Sequence, residues 1–463
     1  MVRIFGHYLS SVYIGLFVVE CIIMLMSMYL GSELRFFYIR SWYTDENIIQ
    51  ASLIFAVVTT TANVGLGLYR RSLRWDDYYL MSRIGISFAA SLVILLVIYY
   101  SFPEFTIARS VLAYSFAVAI LGMLCCRYLF YKYIKHVNLR RNILVLGVGE
   151  NANNLVHSND SYMYRSFDIA ACLNVNRVSD VKVQDYRVIS EYKSIFDVVK
   201  NLDIDEIVLA LDDRQQEFPM DDLLDCKIHG VDVMDLLTFY EREKSMIDLA
   251  NITPSWFIFS EGFTKGGVRV FGKRGMDILA SFSLLMVSWP FMLLVMMAIY
   301  IESGFKGPIL YKQTRVGEFD QDFEVLKFRS MRTDAELNGA QWAKENDNRV
   351  TRVGGFIRKV RLDELPQIWN VFRGDMSFVG PRPERPEFVD QFDKNIPYYR
   401  KRHRVKPGIT GWAQLCYPYG ANEYDAIQKL QYDLYYVKNY SLFLDLTIII
   451  HTIEIILWGK GAR

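Results

Sequence analysis

Between Arg358 and Pro386 the chain reads RKVRLDELPQIWNVFRGDMSFVGPRPERP, which sets two adjacent carboxylates, Asp363 and Glu364, among arginines, glycines and prolines. Carboxylate oxygens are hard donors that bind Mg²⁺ or, when ionised, attack phosphorus. Arg358, Arg361, Arg373, Arg382 and Arg385 supply planar guanidinium groups that match phosphate oxygens in pairs. A lone Asp-Glu pair is ordinarily a salt-bridged surface feature. Here the same stretch also carries Gly380-Pro381-Arg382-Pro383, a stiff turn that either presents one guanidinium or caps a nearby carboxylate. Chemistry at a phosphorus atom is the reading that uses all of these residues.

Pro366 disfavours helical geometry at Leu365 and suits the first turn of a helix running through Gln367 to Val371. Both carboxylates then stand near a helix N-terminus, whose positive end favours an ionised acid and attracts phosphate. Neighbours on a helix point about 100° apart, so the two acids are expected to do different jobs.

The elements that must position this segment are largely apolar. The chain has 463 residues, a hydrophobic fraction of 52% and a positive mean hydropathy, a composition that favours a membrane protein. Four runs, Tyr8 to Leu30, Ile48 to Tyr69, Leu80 to Tyr100 and Ile107 to Phe130, are each long enough to cross about 30 Å of hydrocarbon as a helix. The first is too long for a signal-peptide core, and MVRIFGH before it lacks a strong charge cluster. Arg70, Arg71 and Arg74 follow the second run and Lys132, Lys135, Arg140 and Arg141 the fourth, which assigns both ends to the cytoplasm; Arg35 and Arg40 in the first outer loop oppose this. Glu20 is expected to face another helix rather than lipid. Six cysteines without CxxC or Cys/His pairing argue against zinc and a disulfide framework, and a net charge of +1 excludes a globally basic nucleic-acid binder.

From Asn142 the runs NILVLGV, FDIAACLNV, EIVLAL and VDVMDL alternate with helical stretches, the pattern of a Rossmann-like parallel sheet covered on both faces. Its first turn, Gly147-Val148-Gly149-Glu150-Asn151-Ala152, has the position of a phosphate-binding turn. The second strand ends in Asn174-Val175-Asn176 without an acid for a ribose, and Glu150 adds negative charge, so a structural or regulatory domain is favoured over a working dinucleotide site. Gly275 to Ile301 is again long enough to span. A single crossing would separate the middle domain from the carboxylate segment, whereas Lys273, Arg274 and Lys306 prefer one face. With Ser288 and Pro290 at its centre to break the helix, a re-entrant hairpin is favoured over a fifth span.

Read in order, Gly307-Pro308-Ile309-Leu310-Tyr311-Lys312-Gln313-Thr314-Arg315-Val316-Gly317, Lys327-Phe328-Arg329-Ser330-Met331-Arg332, the dyad segment and Arg404-Val405-Lys406-Pro407-Gly408-Ile409-Thr410-Gly411-Trp412-Ala413-Gln414 resemble the monotopic polyprenyl-phosphate phosphoglycosyl transferases. The likeness covers about 269–463, and the N-terminal regions are similar to those of the large members, the undecaprenyl-phosphate glucose or galactose phosphotransferases. The resemblance implies Asp363 as nucleophile and Glu364 as a ligand of Mg²⁺ or Mn²⁺. It makes Arg358 and Arg382 the first candidates for binding substrate phosphate, with Lys327, Arg329 and Arg361 behind them. Implied partners are a UDP-hexose, undecaprenyl phosphate, the lipid bilayer of a bacterial inner membrane and, in an oligomer, further copies of the chain; the product starts exopolysaccharide or O-antigen assembly. Where the family has Ser-Pro in its hairpin, Trp289 here separates Ser288 from Pro290.

The expected architecture is a membrane protein with a four-helix transmembrane bundle (1–135), an α/β Rossmann-like middle domain (136–262) and an α-rich monotopic catalytic domain (263–463) with a re-entrant membrane helix (275–301) and interfacial helices, Ser441 to Trp458 among them. Lys401-Arg402-His403-Arg404 reads equally as a headgroup- or nucleotide-facing cluster and as a solvated charge run. A non-catalytic membrane scaffold or sensor is the alternative; a transporter would need more spans and more intramembrane polar residues.

Overall fold

The computed structural model describes residues 2–4, 7–9, 11–36, 45–69, 78–102, 104, 107–136, 140–160, 167–175, 182–183, 186–212, 219–260, 262–263, 266–333, 348–417 and 422–458. Arg40, Arg70, Arg71, Arg74 and Asn176 lie outside these. After a short strand pair, β1 (Val2–Ile4) and β2 (His7–Leu9), come α1 (Ser11–Phe36), α2 (Asp45–Gly65), α3 (Tyr78–Ser101) and α4 (Arg109–His136). All four are long and apolar enough to cross a membrane. They share one core, in which Met24, Phe55, Phe88, Leu95, Ala119 and Met123 meet.

Polar groups inside that core are matched to one another. Leu66 and Leu68, just past the end of α2, offer carbonyl oxygens that accept from the buried Arg83 (2.8 Å) and Arg127 (2.9 Å), which satisfies groups a helix end leaves open. Arg127 also pairs with Glu20 across α1 and α4 (2.7 Å), both side chains being essentially inaccessible, and the Tyr69 hydroxyl donates to Glu20 (2.6 Å). Glu20 therefore faces other helices, as the cost of an unpaired charge in an apolar medium requires.

The middle region contains β3 (Arg141–Leu146), α5 (Glu150–Asp160), β4 (Phe167–Leu173), β5 (Val188–Ile189), α6 (Ile195–Leu202), β6 (Glu206–Leu209), α7 (Met220–Ile228), β7 (Asp232–Asp235) and α8 (Leu236–Lys244). The strands form one parallel sheet in the order β5-β4-β3-β6-β7, a Rossmann-like arrangement. Alternate residues of β3 feed opposite faces: Ile143 and Val145 enter one apolar cluster, Leu144 and Leu146 the other. At the first turn, Asp212 places its two carboxylate oxygens on the amides of Glu150 and Asn151, each at 2.8 Å. Those donors at the start of α5 are the ones a phosphate would take. A Cβ at Gly149 would lie 1.9 Å from the Asp212 carboxylate, so the glycine is needed for this internal cap.

Beyond the first few residues, the chain divides into two compact units between Glu243 and Lys244. Residues 244–260 pack with the second: Ile247 N donates to Gln431 O (3.1 Å), and Trp256 and Phe257, in α9 (Pro254–Phe259), join its core. Next comes α10 (Gly267–Glu302), one uninterrupted helix of 36 residues that contains Pro290 and is itself apolar enough to span. Its beginning is tied down by Lys273, which donates to Val379 O (2.9 Å) and Asp445 (2.7 Å), and by Arg274, which donates to Val371 O (2.7 Å). Its end packs through Val295 and Ile299 on Phe328 and Ile357, and Glu302 accepts from Val353 N (3.1 Å). Ser288 is buried, whereas Val287, Trp289 and Phe291 are exposed.

The remaining elements are a hairpin of β8 (Leu310–Val316) and β9 (Asp322–Phe328), α11 (Arg352–Lys359), α12 (Gln367–Arg373), β10 (Ser377–Val379), α13 (Pro386–Asn395), β11 (Gly408–Thr410), α14 (Trp412–Cys416), α15 (Glu423–Asn439) and α16 (Leu442–Trp458). The short strands β10 and β11 pair in parallel. Asp445 of α16 turns inward to Lys273 and Tyr436 while Leu446 points out, so the acid that interrupts this apolar segment is an internal ion pair.

Two measurements follow. Glu20→Ala should lower bundle stability by about 3 kcal/mol because it strands the Arg127 charge, and Arg127→Met added to it should recover part of the loss; thermal unfolding in detergent reads both. Asp212 filling the turn predicts no binding of NAD by the full chain in calorimetry at millimolar ligand, and a micromolar complex contacting Glu150 N would contradict it.

Candidate active site

The site is built from three sequence-distant segments. The hairpin brings Lys327, near the end of β9, towards the segment between α11 and α12. Asn370 of α12 fastens the two: its side-chain oxygen accepts from Leu326 N (3.0 Å) and its NH₂ donates to Glu324 O (2.7 Å), so a fully buried amide acts as a strand partner for β9. The chain leaves α11 through Arg361, whose φ of 60° is left-handed, and enters a 3₁₀ turn over Leu362–Glu364. Such backbone is uncommon for a residue with a Cβ, and here it aims the following pair inward. The helix after Pro366 begins at Gln367 as expected, but Leu365 is helical (φ −55°, ψ −36°), contrary to the extended geometry inferred from the proline rule. The 3₁₀ turn runs directly into α12, and its Leu365 N to Leu362 O bond (3.3 Å) outweighs the local steric bias.

Asp363 is 8% exposed. Glu364 accepts at Oε1 from Lys327 Nζ (3.2 Å) and Arg382 Nη2 (3.1 Å), with Arg361 4.0 Å from Oε2. Burial alone would raise the Glu364 carboxyl, but Arg382, Lys327 and Arg361 outweigh it and hold the group well below the usual carboxylate range. Asp363 moves the other way: burial first and the Glu364 charge second raise it, against Lys327, Arg358 and Arg361. Burial likewise lowers Lys327, opposed by Glu364. No hydrogen bond to the Asp363 side chain occurs among the described residues. The arrangement gives one carboxylate held in its charged form by paired cations, and a second that is less acidic and has no hydrogen bond among the described residues.

Of the residues inferred from sequence, Asp363, Glu364, Lys327, Arg361 and Arg382 converge here, with Arg358 acting on Asp363 by charge while its Nε donates to Ser330 (3.0 Å). Arg329 is turned elsewhere. It donates to Ser303 and lines a separate cleft of about 520 Å³ with Lys306 and Arg332. Arg373 is exposed and paired with Asp375 (2.6 Å). The Lys401 to Arg404 run is half internal: Arg402 is buried against Asp433 (2.7 Å), and His403 lies against Asp320 (2.7 Å) with burial lowering its pKa to about 4. Sequence reasoning passed over the buried Asn370 and the half-buried Arg315, which look like ordinary polar residues until their partners are known.

Residues 268–459 match the family described as bacterial sugar transferase, and residues 65–224 match one described as CoA-binding domain. Over 360 residues, 70% of this chain and 69% of the relative, the chain is 30% identical to the undecaprenyl-phosphate galactose phosphotransferase of Salmonella typhimurium. The chain belongs to the bacterial sugar transferases. It is 52% identical over 196 residues to the UDP-N-acetylgalactosamine-undecaprenyl-phosphate N-acetylgalactosaminephosphotransferase of Aeromonas hydrophila, covering 42% of this chain and 46% of that one. It is also 41% identical over 204 residues to the UDP-glucose:undecaprenyl-phosphate glucose-1-phosphate transferase of Xanthomonas campestris pv. campestris, covering 43% and 42%. These two matches thus span less than half the length of either relative. In this sugar transferase the likeness to a CoA-binding domain falls on the region whose turn amides Asp212 already caps.

Because the native Glu364 value lies below its unfolded one, about 4.3, its stabilising effect is complete above that pH and is lost as pH falls towards the native value. Glu364→Gln should therefore be less stable than wild type by about 1–3 kcal/mol at neutral pH, and the gap should close below about pH 4 in unfolding measurements across that range.

Proposed function

We propose that this sugar transferase moves a hexose-1-phosphate from a UDP-sugar to undecaprenyl phosphate through a covalent intermediate on Asp363, releasing UMP. The observation that carries the reading is the split carboxylate pair: the half-buried Glu364 is held ionised by Arg382, Lys327 and Arg361, while the buried Asp363 beside it has a side chain without a hydrogen bond among the described residues. An Asp363 oxygen attacks the β-phosphorus of the donor, the bond from that phosphorus to the bridging oxygen breaks, and UMP departs with the electron pair. An oxygen of undecaprenyl phosphate then attacks the same phosphorus, forms the diphosphate bond and returns Asp363 as a carboxylate. One phosphoanhydride replaces another, so the exchange needs no ATP.

Arg382, Arg361, Arg358 and Lys327 neutralise the donor diphosphate in this scheme and stabilise charge as the leaving UMP develops it. Among the described residues no group of three or more His, Cys, Asp or Glu is arranged for a metal, and Glu364 Oε1 is already taken by two cations. Glu364 is the residue that would hold a Mg²⁺ or Mn²⁺ ion arriving with the substrate, rather than a closed protein site. A divalent ion bound there supplies further charge neutralisation of the diphosphate.

The reading extends to placement. Arg274 and Glu302, near the two ends of α10, are anchored on the same unit, whereas a straight helix would separate these two residues by about 42 Å. We take α10 as re-entrant, bent near Ser288 and Pro290 with Val287, Trp289 and Phe291 in lipid, so that the dyad rests at headgroup level on the cytoplasmic face of the inner membrane. The relatives' names carry three different sugars, N-acetylgalactosamine, glucose and galactose, so the donor is set by experiment.

Purified protein with Mg²⁺ and undecaprenyl phosphate should release UMP from at least one of UDP-N-acetylgalactosamine, UDP-glucose and UDP-galactose. Asp363→Asn should reduce that rate by about 1,000-fold or more and abolish label transfer from [³²P]-donor to protein. UMP release that survives Asp363→Asn would remove the covalent scheme.

A further inference from the structure

The turn that carries Arg382 has its carbonyl oxygens engaged one after another. Pro381 O accepts from Gly408 N, Arg382 O from Arg402 Nη2, Pro383 O from Arg315 Nη1 and Glu384 O from Val316 N, each at 3.0 Å. Pro381, Pro383 and Pro386 remove N–H donors from this segment and fix their own φ, so the carbonyls are its main remaining backbone handles. Immediately before Pro381, a Cβ at Gly380 would lie 2.2 Å from Lys406 O, which makes the close approach of the two segments dependent on glycine.

Two of the four donors are guanidinium groups from distant parts of the chain. Arg402 is 5% exposed, pairs with the buried Asp433 at 2.7 Å and donates to the Tyr399 hydroxyl at 2.7 Å. Arg315 donates through Nε to Gln313 (3.0 Å) and lies 3.6 Å from Glu384. Each carries its own carboxylate partner, so the two hold the turn without adding unbalanced positive charge behind Arg382. A guanidinium reaches several acceptors in one plane, which an ammonium does not. The side chain of Arg382 then leaves a backbone fixed on both sides and meets Glu364 at 3.1 Å.

We propose that Arg402, assisted by Arg315, is a positioning residue for Arg382: it fixes the backbone from which Arg382 reaches the donor diphosphate. This rests on the reading of Arg382 given above. In static terms the arginines replace the amide ladder that the prolines cannot supply, and they select one direction for the functional guanidinium.

A double-mutant cycle tests it, with UMP release from the most active of the three UDP-sugars and undecaprenyl phosphate as the readout. Arg402→Lys should lower kcat/KM for the donor about tenfold in the wild-type background and leave it unchanged in the Arg382→Ala background. Equal losses in both backgrounds would mark Arg402 as merely structural and overturn the proposal. Arg315→Lys carries the same expectation and decides the matter should Arg402→Lys fail to fold. Hydrogen exchange of the peptide 379–388 should also quicken in both variants, and unchanged exchange counts against the role. Wild-type kcat/KM in Arg382→Ala alone would instead remove the reading of Arg382 itself, an outcome distinct from equal losses.

Discussion

Two neighbouring carboxylates taken out of water repel each other and lose their hydration, and the fold around Asp363 and Glu364 is organised by the need to offset that. Three cations converge on Glu364, from β9, from the residue before the 3₁₀ turn and from the proline-rich turn. With Glu364 satisfied, Asp363 carries what remains of the desolvation and the repulsion, so two chemically similar acids acquire opposite tendencies. Difference in acidity follows from difference in partners. The left-handed Arg361, the Asn370 clamp and the engaged carbonyls of residues 381–384 are the local costs of bringing those cations to one point.

The apolar helix α10 is joined to this machinery by its polar residues. Lys273, Asp277, Ser281 and Ser288 are all buried and recur at intervals of four, four and seven, which places them along one stripe of the helix. Asp277 accepts from Ser377 Oγ (2.9 Å) and Phe378 N (3.0 Å), and Lys273 reaches Val379 O, so two turns of α10 grip all of β10. Since β10 runs straight into Gly380 and the Arg382 turn, the anchoring of the helix and the presentation of Arg382 to Glu364 are one continuous structure. A charge on the lipid-facing side of that helix would be costly, and the exposed face is indeed Ile278, Leu279, Phe282, Met286 and Val287.

Much of this was legible in the chain itself. Long apolar runs, strand-helix alternation and the dyad with its arginines depend on local pattern, and the helices, the parallel sheet and the convergence on Glu364 follow it. Features that depend on partners far along the chain were not. The basic run at Lys401 to Arg404 read as a surface because Asp433 and Asp320, which bury half of it, lie 31 and 83 positions away in sequence for Arg402 and His403. Leu365 escaped the proline rule because a 3₁₀ turn precedes it. Arg329 looked equivalent to Lys327, two residues away, yet β9 ends at Phe328, and past the strand the alternation that would put both on one face no longer applies.

The same chain holds two sites with anion-binding character, and their charge balance separates them. At the start of α5, two amides meet one carboxylate from Asp212, and Glu150 beside them is itself neutralised by Lys182. That seat is full. At the dyad, Lys327, Arg358, Arg361 and Arg382 act on two carboxylates, which leaves positive charge in excess. Arg361 and Arg382 keep 36% and 31% of their side chains exposed, so the excess faces accessible space. A dianion would restore balance at the second site and worsen it at the first. Glycine-rich turns and helix N-termini mark where an anion is geometrically admissible; the count of cations against carboxylates determines whether one is still wanted.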